Sequence, residues 1–263
     1  MPRSTPGNSG GALVTLDGAL VGINTAIFTR GGGSIGIGFA IPVNLVKALI
    51  RSIEGGGDGL ARAWLGATVQ PIDVDLAESL GLRHPVGVLV NQIYPGGPAA
   101  RAGLAPGDVI LAVDGREVQD PKGLNFRLAI GALGDDALLE VWRRGAKISL
   151  RLPLETPPYL PEPQLTTLNG RQPLAGATVA NLSPGLTKDL NIDLFQQGVV
   201  VLKVERGSPA AQLRLQRGDL VTRIGDRSIQ DVARLTAALR RARPPWRLEV
   251  ERGGQRLAVV IAG

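Results

Sequence analysis

Pro98-Ala99-Ala100, then Leu104 and Gly107-Asp108-Val109-Ile110, recur as Pro209-Ala210-Ala211, Leu215 and Gly218-Asp219-Leu220-Val221, each position displaced by 111 residues. A fixed offset of this length marks a duplicated structural unit, and it sets the architecture before any single motif is weighed. In each copy a β-rich run precedes the motif, Gly87-Val88-Leu89-Val90 in the first and Gly198-Val199-Val200-Val201 in the second. A strand follows, then a helical pattern at 122–132 or 232–242, then a closing strand rich in Leu and Val. The Gly-Asp pair reads as structural: glycine makes the turn, and aspartate satisfies nearby backbone amides ahead of the next strand.

Outside the repeat, composition places the boundaries. The run Gly55-Gly56-Gly57-Asp58-Gly59 reads as a flexible linker, and Thr156-Pro157-Pro158-Tyr159-Leu160-Pro161-Glu162-Pro163 as a stiffer, polyproline-like spacer. Three domains are therefore expected, at 1–54, 62–155 and 172–263. With 36 Gly and 19 Pro in 263 residues, the chain is expected to be mainly β with short helices rather than a helical bundle. The formal charge of +6 raises the question of nucleic acid or an anionic membrane. The arginines are scattered singly or in short groups such as Arg143-Arg144 and Arg240-Arg241, and only 3% of residues are aromatic, so no stacking platform for bases is expected and no nucleic-acid partner. No apolar run is long enough to span a bilayer, and no charged-then-apolar signal opens the chain, so as encoded it would stay in the cytoplasm. The absence of cysteine suits an oxidising compartment and excludes disulfides, thiol catalysis and thiolate metal sites. No metal or organic cofactor is implied, since no His and carboxylate cluster and no phosphate-cradling loop is present.

The order of elements in the repeat resembles a PDZ domain in its circularly permuted bacterial form, in both copies. In that family a short hydrophobic-Gly-hydrophobic loop presents backbone N–H groups to a peptide's terminal carboxylate, while the peptide adds as a strand beside a helix. Trp64-Leu65-Gly66-Ala67 holds the place of that loop in the first copy. The resemblance implies Leu65, Gly66 and Ala67 as carboxylate binders, with Leu124 and Leu128 as pocket walls from the helix. In the second copy Leu174-Ala175-Gly176-Ala177 takes the equivalent place. Its departure from the usual pattern makes Ala175, Gly176 and Ala177 a site for weak peptide binding or for assembly.

The first residues carry a different chemistry. In Gly7-Asn8-Ser9-Gly10-Gly11 the glycines allow a tight turn whose amides can converge on one developing negative charge. A serine there needs a histidine base oriented by a carboxylate. The one histidine, His84, lies in the loop-like stretch Leu82-Arg83-His84-Pro85-Val86-Gly87 and reads as a surface residue, not a catalytic one. After the serine, Ala12-Leu13-Val14-Thr15-Leu16, Asp17-Gly18 and Ala19-Leu20-Val21-Gly22-Ile23-Asn24 read as two strands joined by a type I′ hairpin. Ile35-Gly36-Ile37-Gly38-Phe39-Ala40-Ile41-Pro42 reads as a third strand, and Asn44 as the cap of a helix with Leu45, Val46, Leu49, Ile50 and Ile53 on one face.

These fifty or so residues resemble the end of the trypsin-like domain of HtrA serine proteases, the Do type, through Gly7 to Val14, Gly22-Ile23-Asn24-Thr25-Ala26-Ile27 and Ile35 to Pro42. The resemblance implies a partial trypsin-like β-barrel followed by two PDZ domains. It makes Ser9 the nucleophile, Gly7 and Asn8 part of the oxyanion-hole region, and Asn24, Thr25, Ala26 and Ile27 the strand edge that pairs with substrate. Residues 29–34 would be an activation loop. The match fails at Met1-Pro2-Arg3-Ser4-Thr5, where the family reads Asp-Ala-Ser-Ile-Asn before the proline. Codons for the family hexapeptide, read one base later, spell Met-Pro-Arg-Ser-Thr-Pro. Met1 is therefore expected to be an out-of-frame start, and the chain the distal piece of a frameshifted or mis-sequenced gene.

The resemblance further implies a periplasmic endopeptidase of protein quality control, whose partners are misfolded polypeptides, C-terminal peptides and homologous subunits. Lacking the histidine and aspartate of the triad, the chain alone is expected to be inactive. Two other readings stand beside this one: a non-catalytic tandem-PDZ adaptor, and complementation by a separately encoded half that supplies the missing pair. The PDZ copies are expected to fold on their own and the protease remnant is not.

Overall fold

The computed structural model describes residues 8–30, 33–54 and 62–262, with the backbone alone for 26–30 and 33–37. Strands β1 (Ala12–Val14), β2 (Leu20–Arg30) and β3 (Gly33–Pro42) form an antiparallel sheet in that order, followed by helix α1 (Val43–Glu54). No barrel is closed among the described residues.

Two local expectations for this segment are corrected. Only Gly18 of the Asp17-Gly18 pair has positive φ, +84°, whereas a type I′ turn needs both. The loop instead has three residues, 16–18. Gly18 N–H donates to Thr15 O at 3.0 Å and Thr15 N–H to Ala19 O at 2.9 Å, while the Thr15 hydroxyl oxygen accepts from Ala19 N at 3.0 Å. Asn44 does not cap α1, because the helix starts one residue earlier, at Val43. Its Oδ1 accepts from the adjacent Leu45 N, at 2.9 Å. The face carrying Leu49, Ile50 and Ile53 remains exposed, and Ala48 is the buried residue of the helix.

The first repeat runs β4 (Ala67–Pro71), α2 (Val74–Ser79), β5 (Val88–Ile93), α3 (Pro98–Arg101), β6 (Val109–Val113), β7 (Arg116–Glu117), α4 (Pro121–Ile130), β8 (Asp136–Arg143) and β9 (Ala146–Pro153). Its sheet has the order β4-β5-β6-β8-β9, with β7 paired to β6, so β4 lies at an edge. Burial alternates along β8, as one face of the sheet requires, and Leu139, Val141, Leu124 and Leu128 meet in a core beneath α4. A second cluster around Ile72, Ala77 and Leu111 packs α2 on the other side.

The second repeat, β11 (Ala177–Asn181), α5 (Pro184–Leu190), β12 (Val199–Val204), α6 (Pro209–Gln212), β13 (Leu220–Ile224), β14 (Arg227–Ser228), α7 (Val232–Arg241), β15 (Trp246–Arg252) and β16 (Gln255–Ile261), reproduces this topology. It adds one strand, β10 (Thr166–Thr167), on the free side of β11. Both major helices are capped by an aspartate. Asp120 accepts from Gly123 N at 2.7 Å, and Asp231, again 111 residues on, from Arg234 N at 2.6 Å.

The chain divides into two compact units, Met1–Thr156 and Pro157–Gly263. The proline-rich segment read as a spacer therefore folds with the second repeat. Pro158 O accepts from Gly185 N at 3.0 Å, and the Tyr159 hydroxyl donates to Asp189 at 2.7 Å.

Candidate functional site: a serine turn and two clipped loops

Asn8-Ser9-Gly10-Gly11 closes a tight turn, with Gly11 N–H donating to Asn8 O at 3.0 Å and Gly10 at φ +83°. This is the arrangement in which glycine is favoured at the third position. Gly10 N–H donates to Asn24 O at 2.7 Å, and Asn24 N–H to Gly11 O at 2.9 Å, fastening the turn to β2. Ser9 is exposed, and its hydroxyl donates to the Thr25 carbonyl at 3.0 Å, while the Thr25 hydroxyl donates to Phe39 O at 3.1 Å. Asn24, expected to offer its backbone to a substrate, thus has both backbone groups engaged by the turn itself. Ala26 and Ile27 pair through β2 with Phe39 and Gly38; their side chains, and Gly7, lie outside the described residues.

His84 stands exposed in the first repeat, where it lines a cavity of about 560 Å³ with Leu82, Trp142 and Lys147. A hydroxyl whose proton goes to a backbone carbonyl is not an activated nucleophile, since that carbonyl cannot take the proton.

In the first repeat Leu65 is buried and Gly66 has φ +72°. A Cβ on Gly66 would lie 2.8 Å from Pro98 Cδ, so no side chain fits there. The loop is clipped by its carbonyls: Leu65 O accepts from Ala99 N at 2.9 Å and Gly66 O from Tyr94 N at 2.8 Å. No described residue accepts from the N–H groups of Leu65 or Gly66, and Ala67 enters β4 opposite Ile93. Clipping by the carbonyls turns the amides the other way, and β4 beside them has one unpaired edge among the described residues. Leu124 and Leu128, expected as pocket walls, are each 1% exposed and form part of the core that supports α4.

The second repeat uses the same clips. Ala175 O accepts from Ala210 N at 3.1 Å and Gly176 O from Glu205 N at 2.9 Å, with Gly176 at φ +85°. A Cβ on Gly176 would collide with Ser208. Its amides differ. Gly176 N–H donates to Leu168 O at 2.8 Å, Ala177 N–H to Leu174 O at 3.1 Å and Ala175 N–H to Gln172 O at 3.2 Å.

The two motif aspartates accept backbone amides as the sequence led one to expect, and each also holds an arginine that the sequence reading missed. Asp108 and Asp219, 1% and 0% exposed, each accept a bidentate arginine: Arg143 at 2.7 and 2.7 Å, and Arg252 at 2.6 and 2.7 Å. The hydrogen bonds to aspartate raise both guanidinium pKa values above their ordinary range. The available signal was an arginine closing a strand 35 or 33 residues after each motif aspartate. It read instead as scattered surface charge.

Family models agree with this layout: residues 2–50 match a trypsin model, and 89–143 and 173–262 match PDZ domain models. Among curated proteins, the chain is 39% identical over 240 residues to a probable periplasmic serine endoprotease DegP-like of Pseudomonas fulva, covering 88% of this chain and 48% of that protein. Proteins of the same name from Chlamydia muridarum and Brucella suis are each 36% identical, over 90% and 93% of this chain and 46% and 47% of theirs. The chain thus spans about half the length of the curated relatives it matches. Solved structures of the HtrA-type protease AlgW, with a decapeptide and with a tripeptide, are each 47% identical over 59% of this chain, and cover 48% and 52% of their own, with TM-scores of 0.39 and 0.41. The trypsin match, the two PDZ matches behind it and relatives aligned over 88% to 93% of the chain converge: this chain belongs to the HtrA-type, DegP-like serine proteases and corresponds to their C-terminal part.

Proposed function

We propose that the first repeat captures the C-termini of unfolded polypeptides and that the chain acts as the peptide-binding part of a periplasmic serine endoprotease to which Ser9 contributes the nucleophile. The observation that supports this reading is the Leu65-Gly66-Ala67 loop, held by its carbonyls and placed at the start of an open edge strand. Backbone amides turned outward receive a carboxylate, and β4 receives the peptide as an added strand. By itself the polypeptide of residues 1–263 is proposed to be catalytically silent. Loss of a triad base costs on the order of a million-fold in turnover, and here the Ser9 proton is committed to Thr25 O. That hydrogen bond also favours a second reading, a tandem-PDZ adaptor that binds without cutting.

A fluorescent peptide with an apolar C-terminal residue tests the binding. Affinity should fall at least tenfold when its carboxylate is made an amide, and equal affinity for the two forms would refute the assignment. Fluorophosphonate treatment should leave Ser9 unmodified; labelling there would refute the silence of the chain and remove the case for the adaptor.

A further inference from the structure

We infer that the second repeat is a latent peptide-binding site whose groove is occupied by the chain's own residues 162–168, which sit there as an internal ligand. This rests on the peptide-binding reading proposed for the first repeat, whose topology the second shares. The difference lies in one strand: among the described residues β4 is an edge, whereas β11 is covered by β10.

The covering segment has the geometry of a bound C-terminus. It runs antiparallel to β11, with Thr166 opposite Val179 and Thr167 opposite Thr178. It therefore reaches the clipped loop with its C-terminal end, at Leu168. There Leu168 N–H donates to Ala177 O and Leu168 O accepts from Gly176 N, both at 2.8 Å. The Leu168 carbonyl thus takes an amide that the loop would turn towards a peptide carboxylate. The Leu168 side chain, 4% exposed, enters the core cluster with Leu174, Val179, Leu235 and Leu239, between sheet and α7. Beside it a cavity of about 750 Å³ remains between residues 167–172 and the last turns of α7.

Upstream, the segment is held by side chains rather than by burial alone. Asn181, 5% exposed, donates to Glu162 O at 2.8 Å and accepts from Val232 N at 2.7 Å, tying the segment to the first turn of α7. Its backbone N–H donates to Pro163 O at 2.6 Å. An incoming peptide competes with a strand that is covalently attached, so its apparent affinity falls by the fraction of time the strand is displaced.

Thr166 and Leu168 are the residues to perturb. With Leu168 N–H bonded to Ala177 O and Thr167 opposite Thr178, the alternation of an antiparallel ladder makes 166 and 179 a hydrogen-bonded pair. Thr166→Pro removes that donor without emptying the core, and Leu168→Ser independently withdraws the side chain. The probe is the heptapeptide Glu-Pro-Gln-Leu-Thr-Thr-Leu with a free carboxylate, added to the full chain and followed by hydrogen exchange at residues 64–71 and 174–181. In the unaltered chain the probe should slow exchange at 64–71 only. In both variants 174–181 should exchange faster without peptide and become protected with it, at an affinity at least about tenfold above the unaltered chain. Equal peptide-dependent protection of 174–181 in the unaltered chain would overturn the inference. So would variants that show no such protection, and so would unfolding of the second repeat in both, which would make β10 an integral strand. Absence of protection at 64–71 throughout would instead refute the peptide reading of the first repeat.

Discussion

At the residue scale, the two Gly-Asp motifs are organised by charge rather than by turn chemistry alone. Asp108 accepts the Ala105 amide at 2.8 Å and Arg143 on both oxygens, and the same arginine reaches Gly103 O at 2.7 Å. Asp219 does the same with the Gln216 amide, Arg252 and Arg214 O. Each pair pins the loop after α3 or α6 to the end of β8 or β15. Removing one partner of a buried pair typically costs about 3–5 kcal/mol, and Asp108→Ala should fall near the low end because the Arg143 side chain, 32% exposed, reaches water once released. Urea unfolding measures this, as a lower midpoint at unchanged slope; a change below about 1 kcal/mol would mean the pair is ornamental. Asp108→Ala and Asp219→Ala should behave alike, since the two sites are copies.

At the element scale, the repeat, its helices and its strand order were legible because a 111-residue offset and alternating apolar residues are properties of the chain alone. The Ser9 turn and the loops at Gly66 and Gly176 were legible for the same reason, glycine being required where φ is positive. Three features were not. The 16–18 loop replaced the expected two-residue turn because Asp17 keeps ordinary φ, a choice made by strand register. Leu124 and Leu128 are buried in the core cluster beneath α4, a depth set by helix rotation that the sequence pattern does not fix. Residues 156–163 read as a stiff spacer because prolines suggest extension, and extension is also what leads the chain into a strand added to β11. That docking has a titratable reporter. The hydrogen bond to Asp189 raises the Tyr159 pKa above 10, with burial adding to it. The stabilisation from the neutral phenol is therefore complete below pH 10 and is lost as pH rises through the folded value. The phenolate absorbance that Tyr159→Phe removes should titrate above pH 10, and Asp189→Ala should bring it down towards 10; an unmoved titration would show that Tyr159 does not hold the segment.

At the scale of the whole molecule, the stretch before residue 62 differs in kind from the repeats. Each repeat encloses its own cluster of buried apolar side chains. Among the described residues the β1–β3 sheet and α1 enclose none: Val14, Leu16, Phe39, Ile50 and Ile53 are between 49% and 111% exposed, and Ala48 is the one described apolar residue of this stretch that is buried. Its described attachment to the first repeat includes a hydrogen bond from Arg51 to Ile130 O at 3.0 Å, an exposed contact of small weight. Apolar surface left in water binds hydrophobic dyes and invites pairing with other chains. A chain shortened to residues 62–263 should therefore unfold at the same urea midpoint as the repeats in the full chain, while its binding of anilinonaphthalene sulfonate drops several-fold. Limited trypsin digestion of the full chain should cut first at Lys47 and Arg51 and leave a stable fragment holding both repeats. A fall in the midpoint on shortening would show instead that the serine segment is part of the fold of the first repeat, and that the nucleophile and the peptide groove are built as one body.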